Sequence, residues 1–107
     1  KALKVKSKLI SEVNTAFNKF DYMISPTAPV PPFKFGEKID DPVTLMLLDY
    51  NTVTANLTGK PAISIPYRIV NGLPIGMQIM ANSLNEKSLL QAAHALESKT
   101  TLPEVPL

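Results

Sequence analysis

The sequence predicts an α/β domain, and three observations carry that prediction. Apolar residues near both ends recur at helical spacing. Between them, two runs of alternating apolar residues flank Asn71-Gly72, a dipeptide suited to a tight hairpin. Composition agrees: the 107 residues are 45% hydrophobic and 19% charged, enough for one domain with a modest core.

Residues 2–20 read as an amphipathic helix. Leu3, Ile10, Val13, Phe17 and Phe20 form one stripe, with Leu9 and Ala16 beside it. Lys4, Lys8, Glu12 and Lys19 take the other side, and the lysines of the first eight residues read as a solvated face. Tyr22–Ser25 is a short buried strand closed by Pro26. Pro26, Pro29, Pro31 and Pro32 then impose an extended, rigid excursion, because proline fixes φ and restricts the residue before it.

Asp41-Pro42 resembles a helix start, with Asp41 as N-cap and Pro42 in the first turn. Residues 42–49 follow as a helix that is apolar on nearly every side and is expected to be buried. Residues 50–58 read as a short irregular helical segment ending at Gly59. Ala62–Val70 and Leu73–Ala81 are the hairpin strands, with Ile63, Ile65, Ile75, Met77 and Ile79 on the face turned to a helical layer. Residues 85–98 form the last helix, with Asn85 as N-cap and Leu89, Ala92, Ala93 and Leu96 as its buried stripe. His94 lies off that stripe and is expected to face solvent.

Several function classes fall away at once. The absence of cysteine removes thiol catalysis and cysteine-held metals, and fits a reducing compartment. A single histidine removes a multi-histidine metal site. A net charge of +2 is too small to point to nucleic acid or membrane. The four glycines are scattered, so no phosphate loop is present. Lys1 at the start, with no signal peptide, is expected of an excerpted or processed chain.

Nucleophilic amide chemistry needs a nucleophile and a base within hydrogen-bond reach. Ser64 sits in a predicted strand, with Lys60 about 13 Å away along an extended chain. Ser25 precedes a proline and has no base beside it. The residues alone therefore describe an α/β domain without a complete active site. Asp49, an acid among Leu47, Leu48 and Tyr50, is either a helix-end carboxylate in water or a ligand-binding charge.

SPTAP, IDDP, ANL-x-G-x-P-AIS-x-P and GLP-x-G-x-Q occur together, in that order, across nearly the whole chain. In this combination the sequence resembles the C-terminal part of the amidase signature family. The resemblance implies that residues 1–107 are the C-terminal portion of a single domain, layered α/β/α around a large mixed sheet. The family's catalytic Ser, cis-Ser and Lys lie in an upstream Gly/Ser-rich stretch that this chain does not contain. They therefore map onto no residue here, and the segment alone is expected to be inactive.

Within the family the likeness is strongest to glutaminase subunits of tRNA-dependent amidotransferases, a class of carbon–nitrogen ligase. This implies hydrolysis of glutamine to supply ammonia for amidating mischarged Glu-tRNA(Gln) or Asp-tRNA(Asn). It also implies partner subunits B and C, ATP and Mg²⁺ used by a partner rather than bound by this segment, tRNA reached through the complex, no membrane, and a cytoplasmic (or, in a eukaryote, organellar) location. By the same resemblance Asp49 matches the acid that holds the α-ammonium of glutamine, and the arginine for the α-carboxylate lies upstream. A stand-alone amidase acting on another amide, and a non-catalytic structural or interaction fragment, are the alternatives. Thr54, Thr58, Lys60 and Ala81-Asn82 depart from the family's commonest pattern.

Overall fold

The structure, a computed structural model, describes residues 1–28, 34 and 42–100. The elements follow in the order α1 (Ala2–Phe17), β1 (Tyr22–Pro26), α2 (Pro42–Leu48), α3 (Val53–Thr58), β2 (Ala62–Val70), β3 (Leu73–Ala81) and α4 (Glu86–Ser98). The proline excursion, apart from its first residues, the Asp41 N-cap and the C-terminal tail lie outside the described residues.

The three strands form one antiparallel sheet in the order β1-β3-β2. β3 is central because it pairs on both sides: Ile79 faces Ile24 of β1 and Ile63 of β2, and Gln78 faces Ser25 and Ser64. Alternation then sorts the side chains into two faces. One face carries Ile63, Ile65, Met77, Ile79 and Ala81, packed against Leu89, Ala93 and Leu96 of α4. The other carries Met23 and Met80, packed against Val13 and Phe17 of α1 and Ala55 of α3. The result is three layers, helix on sheet on helix.

The hairpin turn follows from its residues. Asn71 and Gly72 adopt φ of 52° and 78°, the positive values that a type I′ connection needs. Gly59 ends α3 at φ 66°, and the Lys60 amide donates to the Ala55 carbonyl at 3.2 Å. A register shift lies between Pro66 and Arg68 of β2, and Ile75, opposite Arg68, is half-buried and takes no part in the cluster under α4.

Some expectations need correction. α1 ends at Phe17, short of the expected residue 20, and its stripe is buried only in the C-terminal half, at Val13 and Phe17, while Leu3 at its start and Phe20 beyond its end are exposed. In α2, Val43 is 62% and Met46 75% exposed and Leu48 is half-buried, so burial on nearly every side does not hold at Val43 and Met46. Asn85 occupies the N-cap position of α4, yet its side chain makes no cap hydrogen bond. The first turn closes instead through backbone, with the Leu89 amide donating to the Asn85 carbonyl at 3.0 Å. His94 is exposed, as its position off the stripe predicts.

Gly76 shows how closely β1 and β2 approach over the centre of the sheet. Ser64 Oγ and Thr27 Oγ1 are hydrogen-bonded at 2.6 Å across it. A Cβ on residue 76 would lie 2.7 Å from Ser64 Oγ and 3.0 Å from Thr27 Oγ1. Gly76→Ala is therefore expected to destabilise by about 1–3 kcal/mol, the usual range for overpacking. Adding Ser64→Ala should recover part of that loss, because it removes the nearer atom. Equilibrium urea unfolding of the four forms of the full-length polypeptide measures this, and strictly additive effects would contradict the steric account.

A candidate substrate cleft beneath the turn between α2 and α3

α2, the turn at residues 49–52 and α3 arch over the sheet face opposite α4. Beneath them lies an open cleft of about 820 Å³. Its floor is Met23 and Ser25 of β1 with Gln78 and Met80 of β3, and its wall is Val43, Met46, Asp49 and Val53. The lining is mainly apolar, with a few polar groups among it, the usual character of a small-molecule site.

Among the described residues lining it, Asp49 is the one that carries a charge. Its backbone is fixed from both sides. The Asp49 amide donates to the Met46 carbonyl at 3.3 Å, at the end of α2. Its carbonyl accepts from the amides of Thr52 (3.1 Å) and Val53 (3.0 Å) and from Thr52 Oγ1 (3.1 Å), at the start of α3. The carboxylate itself is exposed and has no hydrogen bond or ion pair among the described residues. A carboxylate held this way lines the cleft with its acceptor sites unused among the described residues. It can bind a cation or an ammonium group, or simply water.

Ser25, Ser64 and Lys60 are all committed elsewhere. Ser25 Oγ accepts from Gln78 Nε2 at 3.3 Å, and Ser64 Oγ is paired with Thr27. Lys60 is 8% exposed, and its Nζ donates to Asn14 Oδ1 at 2.6 Å, Asn82 Oδ1 at 2.9 Å and Ser83 Oγ at 3.0 Å. It also stands 5.8 Å from the Phe17 ring centroid. Every N–H of the ammonium is used, so the lysine clasps α1 to the loop before α4. Two departures from the family's commonest pattern, Lys60 and Asn82, thus meet each other. Lys60→Ala is expected to cost about 2–3 kcal/mol in urea unfolding of the full-length polypeptide, the scale of hydrogen bonds to a charged group. Lys60→Met keeps the packed stem and removes the same three hydrogen bonds, so it should cost nearly as much. A loss for Lys60→Met less than half that for Lys60→Ala would assign the effect to packing of the stem and remove the clasp as the explanation.

Two site features escape a reading of the sequence. Gln78 is buried, and its Nε2 donates to the Asn51 carbonyl at 2.7 Å. The alternation of Met77 and Ile79 does put Gln78 on the opposite face, which is the available signal. Nothing local in the sequence puts Asn51 above it.

Taken together, the helix, sheet and helix layers supply the floor and one wall of an open cleft. The chain belongs to the amidase family, whose model matches residues 1–90. It is 52% identical over 106 residues to the A subunit of glutamyl-tRNA(Gln) amidotransferase from Cenarchaeum symbiosum, a match covering 99% of this chain and 22% of that relative. The protein of the same name from Methanosarcina mazei is 47% identical over 100 residues, covering 94% of this chain and 21% of its own length. The crystal structure of the corresponding A subunit from Thermotoga maritima superposes with a TM-score of 0.90 at 39% identity, over 96% of this chain and 23% of that one. The chain thus spans about a fifth of the length of the curated relatives it matches.

Proposed function

We propose that this chain is the C-terminal portion of a glutaminase subunit of a tRNA-dependent amidotransferase, and that Asp49 binds the α-ammonium of glutamine. The observation that carries the site is the exposed Asp49 carboxylate, unpaired among the described residues and held by its backbone in the lining of a largely apolar cleft. The names of the relatives support the reaction and the complex.

In this reading the whole subunit hydrolyses glutamine to glutamate and ammonia, which passes to partner subunits B and C. They use ATP and Mg²⁺ to amidate mischarged tRNA, and this segment binds neither. The reaction takes place in the cytoplasm, or in an organelle of a eukaryote. No helix among the described residues is long and apolar enough to cross a membrane. The share of this chain is selection: Asp49 orients glutamine by its charged end, and Met23, Met46 and Met80 line the adjacent apolar surface. The bond-breaking groups come from the rest of the subunit.

The test is glutaminase activity of the full-length subunit in its complex, wild type against Asp49→Ala. An unchanged KM for glutamine removes Asp49 from substrate binding.

A further inference from the structure

We propose that Gln78 is a positioning residue for the ammonium site, holding the turn that carries Asp49 at a set height above the sheet. The inference rests on the reading of Asp49 as the ammonium ligand.

The turn at residues 49–52 is locked internally, with the Asp49 carbonyl accepting from three donors of Thr52 and Val53. Internal bonds give the turn its shape and leave its place over the cleft open. Among the described residues, one hydrogen bond joins this turn to the sheet: Gln78 Nε2 to the Asn51 carbonyl, at 2.7 Å. The second hydrogen of the same amide goes to Ser25 Oγ on β1, at 3.3 Å. Gln78 lies on the central strand and is 7% exposed, so its backbone has little freedom to move.

Among the described residues, the apolar side chains nearest the turn are mostly exposed. Val43 and Met46, on the α2 side of the turn, are largely exposed, as is Tyr50 within it. A buried donor on a rigid strand is then the natural tether, because an unmade bond would orphan both the amide and a carbonyl. Charge-assisted recognition depends steeply on placement, and a shift of about 1 Å in a binding group is enough to lose most of its effect. Gln78 thus acts through Asn51 on Asp49, without touching substrate.

The experiment uses the full-length subunit in its complex and two amides: glutamine, and glutaramate, which is glutamine without the α-amino group. Gln78→Met keeps side-chain length and removes the donor. It is expected to raise the KM for glutamine roughly 5- to 20-fold, with kcat within about twofold and kcat/KM for glutaramate within about twofold. Combined with Asp49→Ala it should add no further loss on glutamine, since both act on the same ammonium. Gln78→Asn, which keeps an amide on an arm one methylene shorter, should show the same pattern and stands in if Gln78→Met does not fold. Parallel losses on both amides, or additive losses in the double variant, would show a merely structural role and overturn the proposal. A normal glutamine KM in both Gln78 variants alongside a raised KM in Asp49→Ala would overturn it and leave the Asp49 reading standing. A normal KM in Asp49→Ala itself would remove the Asp49 reading first.

Discussion

Asp49→Ala is expected to raise the KM of the full-length subunit for glutamine by roughly 10- to 150-fold. The range is the worth of a charge-assisted hydrogen bond, about 1.5–3 kcal/mol, with each 1.4 kcal/mol a factor of ten. The size of the effect depends on water. Asp49 is exposed in this structure, and an ion pair that stayed wet would contribute only about 0.2–1 kcal/mol, less than a sixfold change. The larger figure therefore requires that glutamine and the remainder of the subunit cover the carboxylate. Asp49→Asn separates charge from shape: it keeps an oxygen acceptor of the same size and loses the charge. If charge dominates, Asn should behave nearly as badly as Ala. Glutaramate turnover should be indifferent to all three side chains, because there is no ammonium to bind. A KM effect of equal size on both amides would mean that Asp49 shapes the wall and does not read the ammonium.

The largest effect on stability is expected at Ile79. It lies at the middle of the central strand, between Ile24 and Ile63, under Leu89 and Ala93 of α4, and is 1% exposed. Ile79→Ala removes buried methyl groups and leaves a cavity that paired strands on both sides cannot easily collapse. About 2–5 kcal/mol should be lost, and Ile79→Val should lose about 0.5–1.5 kcal/mol. Against a whole-domain stability of about 5–15 kcal/mol, the alanine variant is a severe lesion. Glutamine KM in any protein that remains folded should stay close to wild type, because Ile79 faces α4 and the cleft lies on the other side. Urea unfolding of the full-length subunit measures the first claim and steady-state kinetics the second. A small loss of stability with a large change in KM would reverse the assignment of the two faces.

The described elements are legible in the sequence because each carries a local physical signature. The Asn71-Gly72 turn needs two positive φ values, and the sequence supplies the two residue types that tolerate them. Gly59 ends α3 in the left-handed region for the same reason. Ile63, Ile65, Met77 and Ile79 alternate, and that period is enough to place them on one face under α4. Where sequence and structure part, the missing information is non-local. α2 is apolar all round, so composition alone buries it, and only the structure shows Val43 and Met46 exposed beside the cleft. Leu84 sits at φ 64° with its side chain 88% exposed, a strained arrangement that no propensity would select.

The candidate site divides in the same way. Asp49 is singled out only by the ordered motifs around it, since composition by itself favours a helix-end acid in water. Lys60 can be seen as an unusual residue, and its role cannot. Its three acceptors come from positions 14, 82 and 83, far from it along the chain.

By itself the sequence determined the elements and their faces, because φ preferences and hydrophobic period are properties of short stretches. It also determined that no cysteine or multi-histidine chemistry belongs to this segment. Only the tertiary structure decided which strand is central, that Gln78 reaches the turn of Asp49, and that Lys60 closes on Asn14 and Asn82. Those pairings join residues 22 to 46 positions apart, and only the folded chain brings such groups within hydrogen-bond distance.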